Sequence, residues 1–175
     1  MKEIEAIELL GKSGCPEGVI EHCRAVAAYA REIATDIRIC ALKKGEHVKI
    51  DIDVVYIGGL LHDIGRSRTH GISHAVEGAR IAIENGLDEK LVNIIERHIG
   101  AGIPIDEAAA LGLPVKDYMP STLEEKIVAH ADNLVSGIKV VSLDEQVAGL
   151  RRRQLDEKAI QRIIALNSEI CAMLR

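Results

Sequence analysis

Residues 19–40 read VIEHCRAVAAYAREIATDIRIC and carry the clearest structural signal in the chain. Apolar residues recur there in alternating steps of four and three, at positions 19, 23, 26, 30, 33, 37 and 40. Because an α-helix turns once in 3.6 residues, this spacing places a continuous apolar stripe along one helix. Lys43 and Lys44 followed by Gly45 are typical of a helix C-terminus. The pattern predicts one long helix that buries a single face.

The rest of the chain repeats this helical signal in shorter segments and has no alternating strand pattern of useful length. Thr122 with Glu125 and Ser142 with Glu145 have the spacing of capping boxes, which predicts two helix starts. The other predicted helices span Ile4 to Leu10, Asp51 or Asp53 to Asp63, His74 to Asn85, Asp88 to His98, 107–111 and Asp156 to Leu174. The Gly58-Gly59 pair inside a helix predicts that another backbone packs closely against it. We therefore predict an all-α fold, one helical-bundle domain over residues 1–175.

Composition and net charge exclude several classes of protein. The chain has 175 residues, of which 47% are apolar and 28% charged, and its longest uncharged apolar run, Val54 to Leu61, is too short to span a bilayer. The net charge of -5 is the opposite of that typical of a polyanion binder, so we expect neither a nucleic-acid nor a membrane partner, and a homo-oligomer stays open. The acidic start lacks a signal-peptide pattern, which predicts a cytoplasmic protein. Four widely spaced cysteines predict buried free thiols.

Histidine and aspartate residues at the ends of predicted helices carry the chemistry. His62-Asp63 ends an apolar helix and is followed by Ile64-Gly65-Arg66, so a tight turn exposes an imidazole and a carboxylate beside a cation. These groups are ligands of divalent Fe, Mn, Zn, Co or Ni. Further residues of the same types lie on other predicted helices: His22, His74, His98 and Asp132.

Each of these residues also has a structural interpretation when it is taken singly. His22 resembles a hydrogen-bonded core histidine, His74 a polar first-turn residue, and His98 a favourable cation at a helix C-terminus. Asp132 lies in an otherwise apolar helix and needs a partner if it is buried. A shared metal centre accounts for all of them together.

The ordered set resembles the HD superfamily of metal-dependent phosphohydrolases, of the HDIG type, over residues 20–137. That family has a His on one helix, a His-Asp pair on the next and a distant Asp, and its two-metal members add two histidines in between. The matching residues are His22, His62, Asp63, His74, His98 and Asp132. The chain is similar both to bacterial symmetric dinucleoside tetraphosphate hydrolases and to an archaeal phosphodiesterase of dihydroneopterin 2′,3′-cyclic phosphate. The segment Asn133-Leu134-Val135-Ser136-Gly137 departs from the former, which usually carry an acidic residue and a proline there.

The resemblance implies a hydrolase of a small phosphorylated substrate, a nucleotide-like or cyclic phosphate ester. It implies two divalent metal ions: one held by His22, His62, Asp63 and Asp132, and a second by Asp63, His74 and His98. Asp63 and Arg66 are then the catalytic residues, with Arg66 near the substrate phosphate and Arg68 as a second candidate. The alternatives are a symmetric dinucleoside tetraphosphate hydrolase and a non-catalytic metal-binding regulatory or sensor domain. C-terminal helices over 142–174 complete the predicted domain, and His70 and Arg151 to Arg153 receive no role.

Overall fold

A computed structural model describes residues 1–175 as a bundle of nine α-helices, which confirms the all-α prediction. A short 3₁₀ turn, Ile64–Ser67, follows α3, and a hairpin of two-residue strands, β1 (Val135–Ser136) and β2 (Lys139–Val140), follows α7. The helices are α1 (Glu3–Ser13), α2 (Glu17–Lys43), α3 (Ile52–Leu61), α4 (His74–Glu84), α5 (Glu89–Arg97), α6 (Ile105–Ala110), α7 (Leu123–Leu134), α8 (Leu143–Arg152) and α9 (Glu157–Met173). No helix is long and apolar enough to cross a membrane.

The long helix α2 is the centre of the fold, as its apolar stripe predicts. One part of its buried face packs in a cluster with α7 and α9, and its N-terminal part packs in a second cluster with α1, α3 and α5. Aliphatic and alanine side chains fill both clusters, because the chain has no Phe or Trp. The helices that carry the candidate metal ligands are thus fixed against one scaffold.

Close contacts between backbones fix α3 and its turn. A Cβ placed on Gly59 would lie 2.7 Å from the Cα of Ala27 on α2, so the backbone approach predicted for the glycine pair is confirmed. At Gly58 the close neighbour is instead the Ile94 side chain. Helix α3 ends at Leu61 rather than at Asp63, because the chain turns there into the 3₁₀ segment.

Of the two predicted capping boxes, one forms completely and the other only in part. Ser142 and Glu145 form the reciprocal capping box, with Ser142 Oγ accepting from the Glu145 N–H and Glu145 accepting from the Ser142 N–H. The box predicted at Thr122 is wrong in one half. Thr122 caps the helix, but the buried Glu125 carboxylate accepts from the Ser121 N–H and from Arg97 instead. An ion pair with Arg97 compensates the burial of that carboxylate.

The cysteines are all free thiols, but only two of them are buried. Cys15 and Cys23 lie in the core, whereas Cys40 and Cys171 are half-buried. Cys15 donates to the Ile64 carbonyl at 3.4 Å, and burial raises its pKa to about 11. The prediction of four buried thiols is therefore wrong for Cys40 and Cys171.

Candidate metal centre

All six predicted ligands come together at one end of the bundle. His22 lies in the second turn of α2, the His-Asp pair follows α3, and His74 is the first residue of α4. His98 follows the last residue of α5, and Asp132 lies near the end of α7. Five separate segments therefore direct one ligand-type side chain or more to a single point.

The first half of the cluster contains His22, His62 and Asp132. His22 Nε2 lies 3.0 Å and His62 Nε2 3.4 Å from Asp132 Oδ1. The ligand atoms of these three residues lie within 4.8 Å of one another, so the group could hold one cation. Asp63 Oδ2 borders it, at 3.7 Å from His62 Nε2 and 4.0 Å from His22 Nε2.

The second half of the cluster surrounds the other oxygen of Asp63. Asp63 Oδ1 is 3.1 Å from His74 Nε2 and 3.5 Å from His98 Nε2. The two histidine Nε2 atoms are themselves 3.1 Å apart. The carboxylate of Asp63 thus has one oxygen toward each half.

Backbone carbonyls set the orientation of all four histidine rings. The Nδ1 atoms of His22, His62, His74 and His98 lie 2.7, 2.7, 2.8 and 2.7 Å from the carbonyl oxygens of Gly137, Gly59, Gly71 and Ile95. Because a carbonyl can only accept, each Nδ1 carries the hydrogen, and in the neutral ring each Nε2 has a free lone pair. This second hydrogen bond is typical of histidines that ligate metals.

A divalent cation fits this arrangement of donors. His62 Nε2 and Asp63 Oδ1 are buried without a hydrogen-bond partner, although polar atoms surround them. The facing Nε2 atoms of His74 and His98 cannot donate to each other while both Nδ1 atoms carry the hydrogens. Two ligands bonded at about 2.1 Å and at right angles lie about 3.0 Å apart, close to the separation of these two nitrogens. Nitrogen and carboxylate donors suit Zn, Fe, Mn, Co or Ni.

The electrostatics of the cavity favour positive charge. Burial alone would raise the pKa of Asp63, but His62, His74 and His98 outweigh it and hold that pKa far below its usual range. Burial likewise opposes the charged form of Asp132, whose pKa His62 and His22 nevertheless lower. Burial lowers the pKa of His62, and the two carboxylates reverse this, so that its pKa is raised. Two charged carboxylates in a largely buried cavity create a site for cations.

Arg66 contacts the cluster directly. Its Nε donates to Asp63 Oδ2 at 2.5 Å, and its side chain is 31% exposed. The terminal nitrogens of the guanidinium form no bond to protein atoms. Arg66 can therefore orient Asp63 and still present two nitrogens toward a bound anion.

The other candidates lie outside the cluster. Arg68 and His70 are exposed in the loop before α4, and Arg151 pairs with Glu157 on the surface. His130 is buried away from the ligands, and burial lowers its pKa to about 4.

Sequence reasoning missed the residues whose carbonyls orient the histidines. It also gave no contact to Asn133, whose Nδ2 donates to the Gly100 carbonyl at 2.7 Å. No sequence pattern could have indicated Gly137 as the partner of His22, because the two are 115 positions apart.

Two relatives match nearly the whole of this chain. MJ0778, an uncharacterized protein of Methanocaldococcus jannaschii, is 53% identical over 172 residues, which are 98% of each chain. A tRNA (cytidine(56)-2′-O)-methyltransferase of Thermoplasma volcanium is 41% identical over 168 residues, which are 96% of this chain but 46% of that protein. The chain thus spans about half the length of that relative.

A solved structure and a family profile also match this chain. The HD domain of the L. monocytogenes phosphodiesterase PgpH, solved with cyclic-di-AMP, superposes with a TM-score of 0.52 at 18% identity, over 97% of this chain and 95% of that one. At this identity the match shows a shared fold alone. The family profile described as HD domain matches residues 19–137, more than half of the chain and the span that holds all six clustered residues. The chain belongs to the HD domain family.

Proposed function

We propose that this chain is a metal-dependent phosphodiesterase that hydrolyses a nucleotide-like or cyclic phosphate ester at a centre of two divalent cations. The observation that carries the proposal is the position of Asp63, whose two oxygens lie toward different groups of histidines. A structural metal site needs a single closed set of about four ligands, whereas six ligands with a shared carboxylate suit two ions with open positions. In this proposal residues 1–175 form one catalytic unit.

The ligand sets follow the two halves of the cluster. His22, His62 and Asp132 would hold one ion and His74 and His98 the other, with Asp63 shared between them. When bound, such ions supply Lewis-acid charge that lowers the pKa of a water molecule and stabilises the attacking and leaving oxygens at phosphorus. No protein nucleophile is then required.

The residues of the chain itself perform the binding and orientation. The backbone carbonyls hold the histidine rings with their Nε2 lone pairs toward the site, so little reorganisation accompanies substrate binding. Arg66 holds Asp63 through Nε, and its free terminal nitrogens would donate charge-assisted hydrogen bonds to phosphoryl oxygens. Arg66 would thus act at the reacting phosphate, and Asp63 would act as the ligand shared by the two ions beside it.

A cyclic phosphate on a nucleoside or pterin is the preferred substrate class. The walls of a site, rather than its metal ligands, set specificity. The segment after Asp132 lacks the acidic residue and proline expected of dinucleoside tetraphosphate hydrolases. PgpH, which shares the fold, was solved with a cyclic dinucleotide, and this supports a small phosphorylated ligand.

The experiment compares substrates on one preparation reconstituted anaerobically with Fe(II) or Mn(II). We expect kcat/KM for adenosine 2′,3′-cyclic phosphate to exceed that for diadenosine tetraphosphate. A preference for the dinucleotide would instead support the symmetric hydrolase. Metal binding without turnover of cyclic nucleotides, dinucleoside polyphosphates or pterin phosphates would support the regulatory or sensor alternative. Because one relative is named as a tRNA methyltransferase, a tRNA with a 2′,3′-cyclic phosphate end belongs in the same screen.

A further inference from the structure

A cleft of about 360 Å³ is lined in part by residues that are close in sequence to His74 and His98. Residues 99–103 form one wall, and helix α6 with the start of α9 forms the opposite side. Its volume falls at the lower end of the range for small-molecule sites, about 300–1,000 Å³. The cleft is thus large enough for one ring system with its sugar.

Two residues that line the cleft are sequence neighbours of candidate metal ligands. Ile99 follows His98 directly, and Ile72 lies two residues before His74. The same wall is tied to the other half of the centre, because the Gly100 carbonyl accepts from the side chain that follows Asp132, that of Asn133. The wall formed by residues 99–103 therefore begins directly after one candidate ligand and is hydrogen-bonded to the neighbour of another.

The surface of the cleft is mostly aliphatic. Ile72, Leu111 and Leu155 are 37%, 48% and 43% exposed, and all three line it. Isolated exposed aliphatic residues are ordinary, but three around one concavity next to a candidate active site are typical of a ligand site. The occupant that suits this surface is a flat or rounded apolar group.

Two acidic and two basic side chains line the cleft, Glu107, Asp156, Lys158 and Arg162, so their formal charges sum to zero. The guanidinium of Arg162 forms a two-bond ion pair with Glu107, and the Asp156 carboxylate caps the first turn of α9 by accepting from the Lys158 N–H. Within residues 99–102 only the Gly102 N–H forms a hydrogen bond, to the Ile99 carbonyl. The N–H groups of residues 99–101 have no hydrogen-bond partner among the protein atoms, so they are available to a ligand that reaches them. A neutral occupant with hydrogen-bond acceptors on its edge therefore suits both the charge balance of the cleft and its unbonded N–H groups.

We propose that this cleft binds the fused heteroaromatic ring of the substrate, a ring of purine size, while the phosphate lies at the metal centre. This inference rests on the proposed function for the position of the phosphate. A purine is flat and neutral and has acceptor nitrogens on its edge, which match the aliphatic faces and the free N–H groups of residues 99–101. The cleft would then be the part of the chain that distinguishes a nucleotide from a simple phosphate ester.

The test separates ring binding from phosphate chemistry. Adenosine and guanosine, which carry no phosphate, are titrated into the ¹⁵N-labelled protein of residues 1–175, and amide shifts are followed. In parallel, calorimetry on the Mn(II)-loaded protein compares adenosine 5′-monophosphate with ribose 5-phosphate. We expect shifts at residues 99–103 and α9, and binding of the nucleotide about tenfold tighter than that of the sugar phosphate.

Variants then assign the effect to the cleft. Ala159→Phe fills the cleft from α9 and is expected to remove the tenfold difference and the nucleoside shifts, with the metal content unchanged. Ala165→Phe adds the same ring to an exposed position of the same helix and should change neither. Leu155→Glu places a charge on the cleft surface at a half-exposed position. It should also weaken nucleotide binding, without any repacking of the core.

The possible results distinguish failure of the ring site from failure of the proposed catalytic function. Equal binding of nucleotide and sugar phosphate, or nucleoside shifts elsewhere on the surface, would overturn the ring site even if the protein hydrolyses phosphate esters. Conversely, nucleoside shifts at the cleft that Ala159→Phe abolishes would support the ring site even if no hydrolysis occurs, in which case the proposed function alone fails.

Discussion

Replacing Gly65 by alanine is expected to disable one half of the metal centre while the other half persists. Gly65 lies in the 3₁₀ turn that follows Asp63, and this turn packs against the first turns of α4. An alanine Cβ there would lie 1.8 Å from the carbonyl oxygen of His74 and 2.5 Å from the backbone nitrogen of Gly78. Both neighbours are backbone atoms, so no side chain can rotate away.

The size of the displacement follows from these distances. An ordinary carbon-to-oxygen contact is about 3.3 Å, so the turn and α4 have to separate by about 1.5 Å. His74 is the first residue of α4, and its Nε2 is 3.1 Å from both Asp63 Oδ1 and His98 Nε2. A shift of this size removes His74 from bonding reach of an ion held by the other two. Misplacement by about 1 Å can cost about 100-fold in rate, and overpacking costs about 1–3 kcal/mol of stability.

The assay measures bound metal by elemental analysis, with kcat and the thermal unfolding midpoint on the same samples. We expect Gly65→Ala to bind one ion where the parent binds two, because the clash displaces α4, which carries His74, whereas His22, His62 and Asp132 lie on other elements. Gly18→Ala is the matched control: it lies within α2 with nothing within 4 Å of its added Cβ. It should keep both ions and gain about 0.5–1 kcal/mol of stability. A folded Gly65→Ala protein with full metal content and full activity would refute the reasoning.

Four further predictions follow from the site and its surroundings. Asp63→Ala should lose all turnover and bind less metal than the parent, since the shared carboxylate serves both ions and no neighbouring side chain can replace it. Asp36→Ala, on the exposed face of α2, should change neither; turnover by a metal-replete Asp63→Ala protein would contradict the assigned role. Arg66→Ala should raise KM about tenfold with a smaller change in kcat, as expected when binding to the phosphate is lost, and Arg68→Ala should change neither in the same steady-state assay. Chelation of the metal should lower the unfolding midpoint measured by calorimetry by on the order of 5–10 °C, because ions bind only the folded state, and an unchanged midpoint would argue against bound ions. Cys15, with its pKa raised to about 11 by burial, should be alkylated at pH 8 about 100-fold more slowly than in the unfolded chain, as mass spectrometry would measure, and rapid labelling of the folded protein would contradict its burial.

Most helices could be predicted from the sequence because each one depends on a local pattern. The stripe from residue 19 to 40 predicts α2, which extends two residues further at its start and ends at Lys43 as the lysine and glycine signal indicates. The C-terminal end of α3 and the cap at Thr122 were predicted less well. Helix α3 gives way early to the 3₁₀ turn, and at Thr122 the contact between Glu125 and Arg97, which are distant in the sequence, overrides the local preference.

The sequence by itself determined that the chain is helical, and its residue types and their order singled out six candidate ligands. Only the tertiary structure decided that these ligands meet, that the two oxygens of Asp63 lie toward different histidines, and that Gly137 orients His22 across 115 positions. It also decided that residues 72, 99–103 and 155–163 enclose a cleft next to them. The physical reason is that helix formation follows from apolar spacing within a few turns of one segment. The direction of a lone pair and the shape of a cleft instead depend on how closely distant backbones pack.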